Sequence, residues 1–122
     1  MYYAILAYHA EGVVEGWTPE EDEALMAELL AINDRLVKQK HLGPAARLGP
    51  TQGAVTLRGP GAGTVIDGPF AETKEQLLGF YIVDVENLEA GLQIARDLGK
   101  ANPGGAYELR PISIYQPGIE IK

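Results

Sequence analysis

Residues 67–75 read Asp-Gly-Pro-Phe-Ala-Glu-Thr-Lys-Glu, and this stretch decides how the middle of the chain folds. The β-branched residues at 64–66 predict a strand that ends at Asp67. The Gly-Pro pair that follows must turn the chain, because Pro69 has no amide hydrogen for a sheet ladder and its φ angle is fixed. A further strand is predicted at 77–85, beyond the charged residues of the stretch. Asp67 is therefore expected at a strand-to-turn corner.

Two interpretations of this corner stay open. In the first, Asp67 hydrogen-bonds the backbone of its own turn, as aspartate commonly does, and Phe70 packs into the core. In the second, Asp67 has a function beyond the turn, because a turn explains the Asp, Gly and Pro but not the charged Glu72, Lys74 and Glu75. Under the second interpretation, replacing Asp67 by Asn leaves the fold intact and abolishes the response to a ligand.

The remaining elements follow from hydrophobic spacing and from turn residues. The stretch 2–9 alternates as a strand, and both of its faces are largely apolar, which predicts a central strand covered on both sides. A capping box at Thr18 and Glu21 begins a helix that Gly43-Pro44 stops. The other predicted elements are a loop at 11–17, a weakly marked strand at 45–48, strands at 54–58, 64–67 and 107–115, a hairpin loop at 59–63, and a second helix capped by Asn87.

This order of elements predicts a single α+β domain over residues 1–122. It is the order of a ferredoxin-like antiparallel sheet with two helices on one face and an inserted β-hairpin. Two helices leave the other face of such a sheet uncovered. The strands carry more apolar surface than two helices are expected to hide, so the open face is predicted to pack on a second copy or to close around a ligand. The residues that suggest this are Tyr8, Tyr81, Tyr107, Ile112, Ile114 and Tyr115.

Composition excludes several classes of protein. The 122 residues can bury a core without a metal or a disulfide, and cysteine is absent, which excludes thiol catalysis and cysteine-based zinc sites. The formal net charge of −7 disfavours direct binding to nucleic acid. No signal peptide or membrane-spanning run is evident, and we expect a soluble, cytoplasmic protein.

The sequence resembles a known family over nearly its whole length. Residues 67–75 spell the motif after which the DGPFAETKE family is named, and the stretches at 2–8, 78–81 and 108–111 are similar to the same family. The resemblance implies kinship with YCII-related proteins, whose fold is a dimeric α+β barrel like that of muconolactone isomerase and small heme-free monooxygenases. It therefore implies a homodimer with a cavity between the sheet and the partner.

The resemblance does not supply an activity. Members of the DGPFAETKE group are often encoded beside extracytoplasmic-function sigma factors. YCII-type proteins have been proposed to use a His and Asp pair with the His on the first helix, but the helix predicted at 18–40 contains no histidine. We expect His9 and Asp67 as the substitute catalytic pair, because each ends a predicted strand and imidazole can exchange protons near neutral pH. The alternative is a satisfied surface His9.

Charged residues outside this pair form the remaining predictions. Glu108 and Arg110 share one face of the last strand and are expected on the open side, either around a ligand or as a mutual ion pair. Arginine recognises carboxylates and phosphates by paired hydrogen bonds, which suggests an anion-binding rim. The predicted ligand-binding residues are Arg110, Glu108, Arg47, Lys74 and Tyr81, with Glu72, Glu75 and Arg58 as further rim candidates.

Two hypotheses of function follow. The first is a homodimeric protein with a small-molecule cavity, acting as an isomerase, lyase or hydrolase with Asp67 as acid or base. The second is a non-catalytic ligand-binding or regulatory module that works with a transcription factor of the sigma type. Neither needs a cofactor, and two histidines with scattered carboxylates do not have the spacing of metal ligands, so no metal is expected.

Overall fold

The computed structural model of the chain describes residues 1–71 and 73–120, with only the backbone at residue 11. Six strands and three helices follow one another along the chain. They are β1 (Tyr2–His9), α1 (Glu11–Glu15), α2 (Pro19–Lys38), β2 (Leu42–Arg47), β3 (Val55–Arg58), β4 (Thr64–Asp67), β5 (Gln76–Asp84), α3 (Leu88–Ala101) and β6 (Ala106–Pro111), with a short 3-10 turn at Thr51–Gly53.

The strands form a ferredoxin-like sheet and a separate hairpin. The main sheet has the order β2-β5-β1-β6, and all of its pairs are antiparallel. Strands β3 and β4 pair only with each other, as a two-stranded sheet inserted between β2 and β5. The predicted fold class, the central position of β1 and the inserted hairpin are thus confirmed. The weakly marked strand expected at 45–48 is also present, as the edge strand β2.

Helix α2 begins at the predicted cap. The Thr18 hydroxyl accepts a hydrogen bond from the Glu21 amide at 3.1 Å, and the Glu21 carboxylate accepts one from the Thr18 amide at 3.2 Å. The helix ends earlier than predicted, at Lys38, because Lys40 has a φ angle of 62° and lies outside the helical region. The Asn87 side chain caps α3 by accepting from the Ala90 amide at 2.9 Å.

The core lies between the two long helices and one face of the sheet. On β1 the alternate residues beginning at Tyr3 are buried, and Ile5 is completely inaccessible. Leu36 of α2 and Leu98 of α3 pack into the same cluster as Val83 of β5. The other face of β1 is only half-buried, so the prediction that β1 is covered on both faces does not hold within one chain.

Besides the end of α2, two elements differ from the sequence-based expectation. Residues 11–15 were expected in a loop but form α1, in which the Val13 and Val14 amides donate to the Ala10 carbonyl. Glycine and valine have low helix propensity, which hid this element. The last strand ends at Pro111 and not at residue 115, because its partner β1 begins at Tyr2, and the final bond joins the Ile112 amide to the Tyr2 carbonyl. None of the helices within the described ranges is long and apolar enough to cross a bilayer.

Candidate functional site

A cavity of about 200 Å³ lies between α2 and the helix-facing side of the sheet. Its floor is formed by small residues, since Ala7, Gly79 and Ala45 occupy neighbouring strands on that face. Its roof is apolar and comes from α2 and from Trp17 before it. The lining from α2 consists of Leu25, Met26, Leu29, Leu30 and Asn33.

Two polar groups in this lining have no protein partner among the described residues. The Asn33 side-chain oxygen is buried and accepts no hydrogen bond. Tyr81 lines the same cavity, and no hydrogen bond from its hydroxyl is found within residues 1–71 and 73–120. Burial raises the pKa of the Tyr81 phenol, and the nearby Tyr107 adds to the rise, so the phenol is protonated at neutral pH. Asn33 therefore borders the cavity with an unpartnered oxygen that lies beneath its surface, and Tyr81 adds a hydroxyl without a partner among the described residues.

The second phenol in the cavity is already engaged. The Tyr107 hydroxyl donates to the Leu98 carbonyl at 3.4 Å. Burial raises the pKa of Tyr107, while a hydrogen bond with the buried Asn102 side chain opposes that rise. Tyr107 thus contributes ring surface and structural hydrogen bonds.

The cationic group of the lining is engaged as well. The two terminal guanidinium nitrogens of Arg47 donate to the Asp22 carboxylate, Nη2 at 2.8 Å and Nη1 at 3.3 Å. Arg47 belongs to β2, pairs with Gly79 across the sheet and lies on the helix side. The anion-binding role predicted for Arg47 remains a prediction, and an anion would have to compete with Asp22 for it.

Tyr81 and Tyr107 correct the expectation for the open face. Both were counted among its apolar surplus, but Tyr81 pairs with the fully buried Ile5, and Tyr107 pairs with Ala7. Cross-strand partners point to the same side of a sheet, so both phenols face the helices. The sequence fixes alternation along a strand but not which set faces the helices.

His9 is buried and not a surface residue. The residue is 4% exposed, its Nε2 atom lies 3.3 Å from the Pro103 carbonyl oxygen, and its ring packs edge-on against Trp17 with ring centroids 5.7 Å apart. Its Nδ1 atom is buried without a hydrogen-bond partner. No contact joins His9 to Asp67 within the described ranges, so this chain alone does not assemble the predicted pair.

Asp67 lies on the exposed hairpin. It ends β4 opposite Val55, and its carboxylate makes no hydrogen bond or ion pair with the described residues. Other groups make the hydrogen bonds of this turn. The Gly68 amide donates to the Ala54 carbonyl at 2.7 Å, and the Thr56 hydroxyl donates to the Gly68 carbonyl at 2.8 Å. The interpretation that Asp67 itself bonds the turn is therefore wrong for this structure.

The rest of the stretch at 67–75 is also exposed. Phe70 was expected to pack into the core, but it is 73% exposed and its ring lies under the Arg58 guanidinium at 4.8 Å. Lys74 and Glu75 are exposed on the connection into β5. Glu72 is outside the described residues.

Glu108 and Arg110 lie on the open face, as predicted. Their cross-strand partners are Leu6 and Ala4, which belong to the half-buried set of β1. The Arg110 Nε atom is 3.7 Å from the Glu108 carboxylate, and the Tyr8 hydroxyl is 3.5 Å from the same group. The mutual ion pair considered from the sequence is present. Arg47, Arg58 and Arg110 thus occupy three different surfaces and do not form one rim.

Sequence reasoning missed Asn33 and Trp17. A signal for Asn33 was available, because it follows Leu29 by four residues and Leu30 by three, which places a polar side chain on the apolar stripe of a helix. Trp17 was assigned to a loop and given no role. Among residues 1–71 and 73–120, no group of three His, Asp or Glu side chains is arranged to hold a metal ion.

Comparison with known proteins agrees with the architecture. A family model for the YCII-related domain matches residues 1–115. An uncharacterized protein of Rhizobium meliloti (strain 1021) is 52% identical over 120 residues, and the similarity covers 97% of each chain. The match extends through the hairpin and both long helices. The chain therefore belongs to the family of proteins with a YCII-related domain.

Proposed function

We propose that the protein binds a small molecule in the cavity between α2 and the sheet, and that it does so as a homodimer. The single observation that carries the proposal is the pairing of an apolar cavity with the unpartnered Asn33 oxygen and the free Tyr81 hydroxyl. A buried acceptor without a partner costs about 1–3 kcal/mol of stability. A ligand that supplies the missing donor would offset that cost.

Binding is favoured over catalysis because the cavity lining lacks a free acid or base. Asp67 and His9 are absent from the lining, and Arg47 is held by Asp22. This supports the non-catalytic alternative, a ligand-binding module that reports on a small molecule to a partner such as a sigma-type factor.

A catalytic version remains as a second candidate because of the hairpin. Asp67 shares one hairpin face with Val55, Leu57 and Val65, whose side chains are 63%, 63% and 65% exposed. If a second copy covers this face, the Asp67 carboxylate enters the interface with it. The expectation of acid or base chemistry at Asp67 then requires the dimer.

The dimer proposal rests on exposed apolar surface. The open face of the main sheet carries Tyr2, Leu6 and Tyr8 on β1, none of which is covered by a helix. The hairpin adds the exposed Val55, Leu57 and Val65, and exposed apolar surface of this kind often marks an interface between proteins. Light scattering at micromolar concentration should give twice the chain mass of 13.1 kDa. A single species of the chain mass would contradict the dimer.

The ligand site can be tested by filling the cavity. A library of small uncharged compounds is screened by amide chemical-shift changes at the cavity residues. Leu25→Trp places an indole in the cavity and should abolish the shifts, while Ala24→Trp, on an exposed neighbour in the same helix, should preserve them. Hits that bind both variants equally would show that the ligand lies elsewhere.

Catalysis is tested on the same hits. Asp67→Asn keeps the side-chain size, so it should leave cavity binding intact in either case. If a hit is turned over by the wild type but not by Asp67→Asn, the catalytic candidate replaces the binding module. If no hit is consumed by the wild type, the binding module stands.

A further inference from the structure

We infer that the cavity takes a neutral single-ring aromatic compound whose polar substituent donates a hydrogen bond to the Asn33 side-chain oxygen and accepts one from the Tyr81 hydroxyl. Primary aromatic amides are the simplest members of this class. The inference rests on the proposed ligand site and goes beyond it by naming the chemistry that the site selects.

Volume sets the size of the ligand. The cavity has about 200 Å³ of space. An apolar protein cavity of about 150 Å³ holds benzene, whereas drug-sized ligands occupy pockets of about 300–1,000 Å³. One ring with a short substituent therefore fits. The leucines of α2 and the Trp17 ring offer the apolar contacts that such a ring needs.

The polar groups set the substituent. The Asn33 oxygen has almost no accessible surface in its present rotamer and only accepts hydrogen bonds, so a ligand that engages it must turn the amide toward the cavity and donate to it. The Tyr81 hydroxyl is free to donate, so the ligand must also carry an acceptor. Tyr107 does not require a second acceptor on the ligand, because its hydroxyl already donates to the Leu98 carbonyl. A carboxamide carries both functions on one short group.

Charge excludes the ionic analogues. The guanidinium of the lining is bound by Asp22 through two contacts, and the chain has a formal net charge of −7. An aromatic carboxylate would meet no free cation and would leave the Asn33 oxygen facing a second acceptor. An aromatic ammonium would meet no free carboxylate, since Asp22 is engaged. Burying an unpaired charge is costly, so the neutral compound is selected.

The test compares three probes of one shape, benzamide, benzoate and toluene, by chemical-shift titration of the dimer. Benzamide should bind about tenfold or more tightly than either of the others, because two net hydrogen bonds distinguish it. Asn33→Leu and Tyr81→Phe should each reduce the preference for benzamide over toluene. Tyr2→Phe is the matched control, because its ring lies on the opposite face, against Tyr115, and the preference should be retained.

Each other outcome is decisive. Toluene binding as tightly as benzamide would overturn the polar selection and leave the cavity as the ligand site. Tighter binding of benzoate would overturn the neutral class and indicate that Arg47 exchanges Asp22 for the ligand. If none of the three probes shifts the amides of the cavity residues, the proposed site fails together with this inference.

Discussion

Replacing Asn33 by Leu should stabilise the protein in the absence of a ligand. The Asn33 oxygen is buried without a partner, and leaving a buried acceptor unsatisfied costs about 1–3 kcal/mol. Leucine has the same number and branching of side-chain heavy atoms, its larger methyl groups can extend into the cavity, and it continues the apolar stripe of α2. It also gains a few tenths of a kcal/mol, about 0.5 at most, in helix propensity. Because the rest of the Asn33 side chain is only half-buried, we expect a net gain of about 1–2 kcal/mol in the free energy of unfolding.

The measurement is urea and thermal denaturation followed by circular dichroism. For a chain of this length the gain corresponds to a rise of roughly 3–8 °C in the melting temperature. Asp34→Leu is the matched control, since Asp34 is the exposed neighbour on the same helix and has a similar helix propensity. Its free energy of unfolding should change by less than about 0.5 kcal/mol.

The reasoning is refuted if Asn33→Leu is no more stable than Asp34→Leu. That result would mean that the Asn33 oxygen is satisfied in the folded protein, so no hydrogen-bond donor is missing from the cavity. A gain in stability together with lost selectivity for benzamide would instead show that the residue is kept for binding at the expense of stability.

Three further outcomes are expected. Gly68→Val should lower the free energy of unfolding by about 1–3 kcal/mol in denaturant titrations, because Gly68 has a φ angle of 103°. Gly49→Val is the control, and it should lower the free energy of unfolding by less, because the φ angle of Gly49 is open to any residue. Asp22→Asn should change stability by less than about 1 kcal/mol, since the pair is partly exposed, yet raise the affinity for benzoate in titrations by freeing Arg47. Burial raises the pKa of Tyr81, so the unfolded chain loses the phenol proton at a lower pH than the folded chain does. The denaturation midpoint should therefore be constant with respect to this group up to about pH 10 and fall above it. The fall should be less steep in Tyr81→Phe.

Local signals made most of the fold predictable. The alternation at 2–9, the capping box at Thr18 and the cap at Asn87 are each set by neighbouring residues, and each was confirmed at its expected position. The hairpin followed from a Gly-Pro loop between two β-branched runs. Elements stabilised mainly by their surroundings were harder to predict. Strand β2 has the weak strand sequence Leu-Gly-Pro-Ala-Ala-Arg and exists because β5 supplies its hydrogen bonds.

The site was less predictable, because it depends on which side of the sheet a residue faces. Tyr81 was selected as a ligand residue, but for the wrong face. A register shift at Ala7/Tyr8 adds to the difficulty, since a bulge changes which residues oppose one another across β1 and β5. Asp67 was selected because several charged residues follow it closely in the sequence. A cluster of charged residues along the chain does not indicate whether they line a cavity, and the structure places Asp67 on the exposed hairpin.

The strongest argument for the cavity is that two departures from optimal packing coincide there. The sheet beneath α2 carries Ala7, Ala45 and Gly79, and these small side chains leave the space open. At Gly79 the Ala46 carbonyl approaches so closely that no other residue fits, so a larger side chain could enter the space only from Ala7 or Ala45. The same space contains Asn33, the polar residue of an otherwise apolar stripe. A chain selected for stability alone would remove both defects by single substitutions, so their presence in one place is best explained by a molecule that fills the space and satisfies the oxygen.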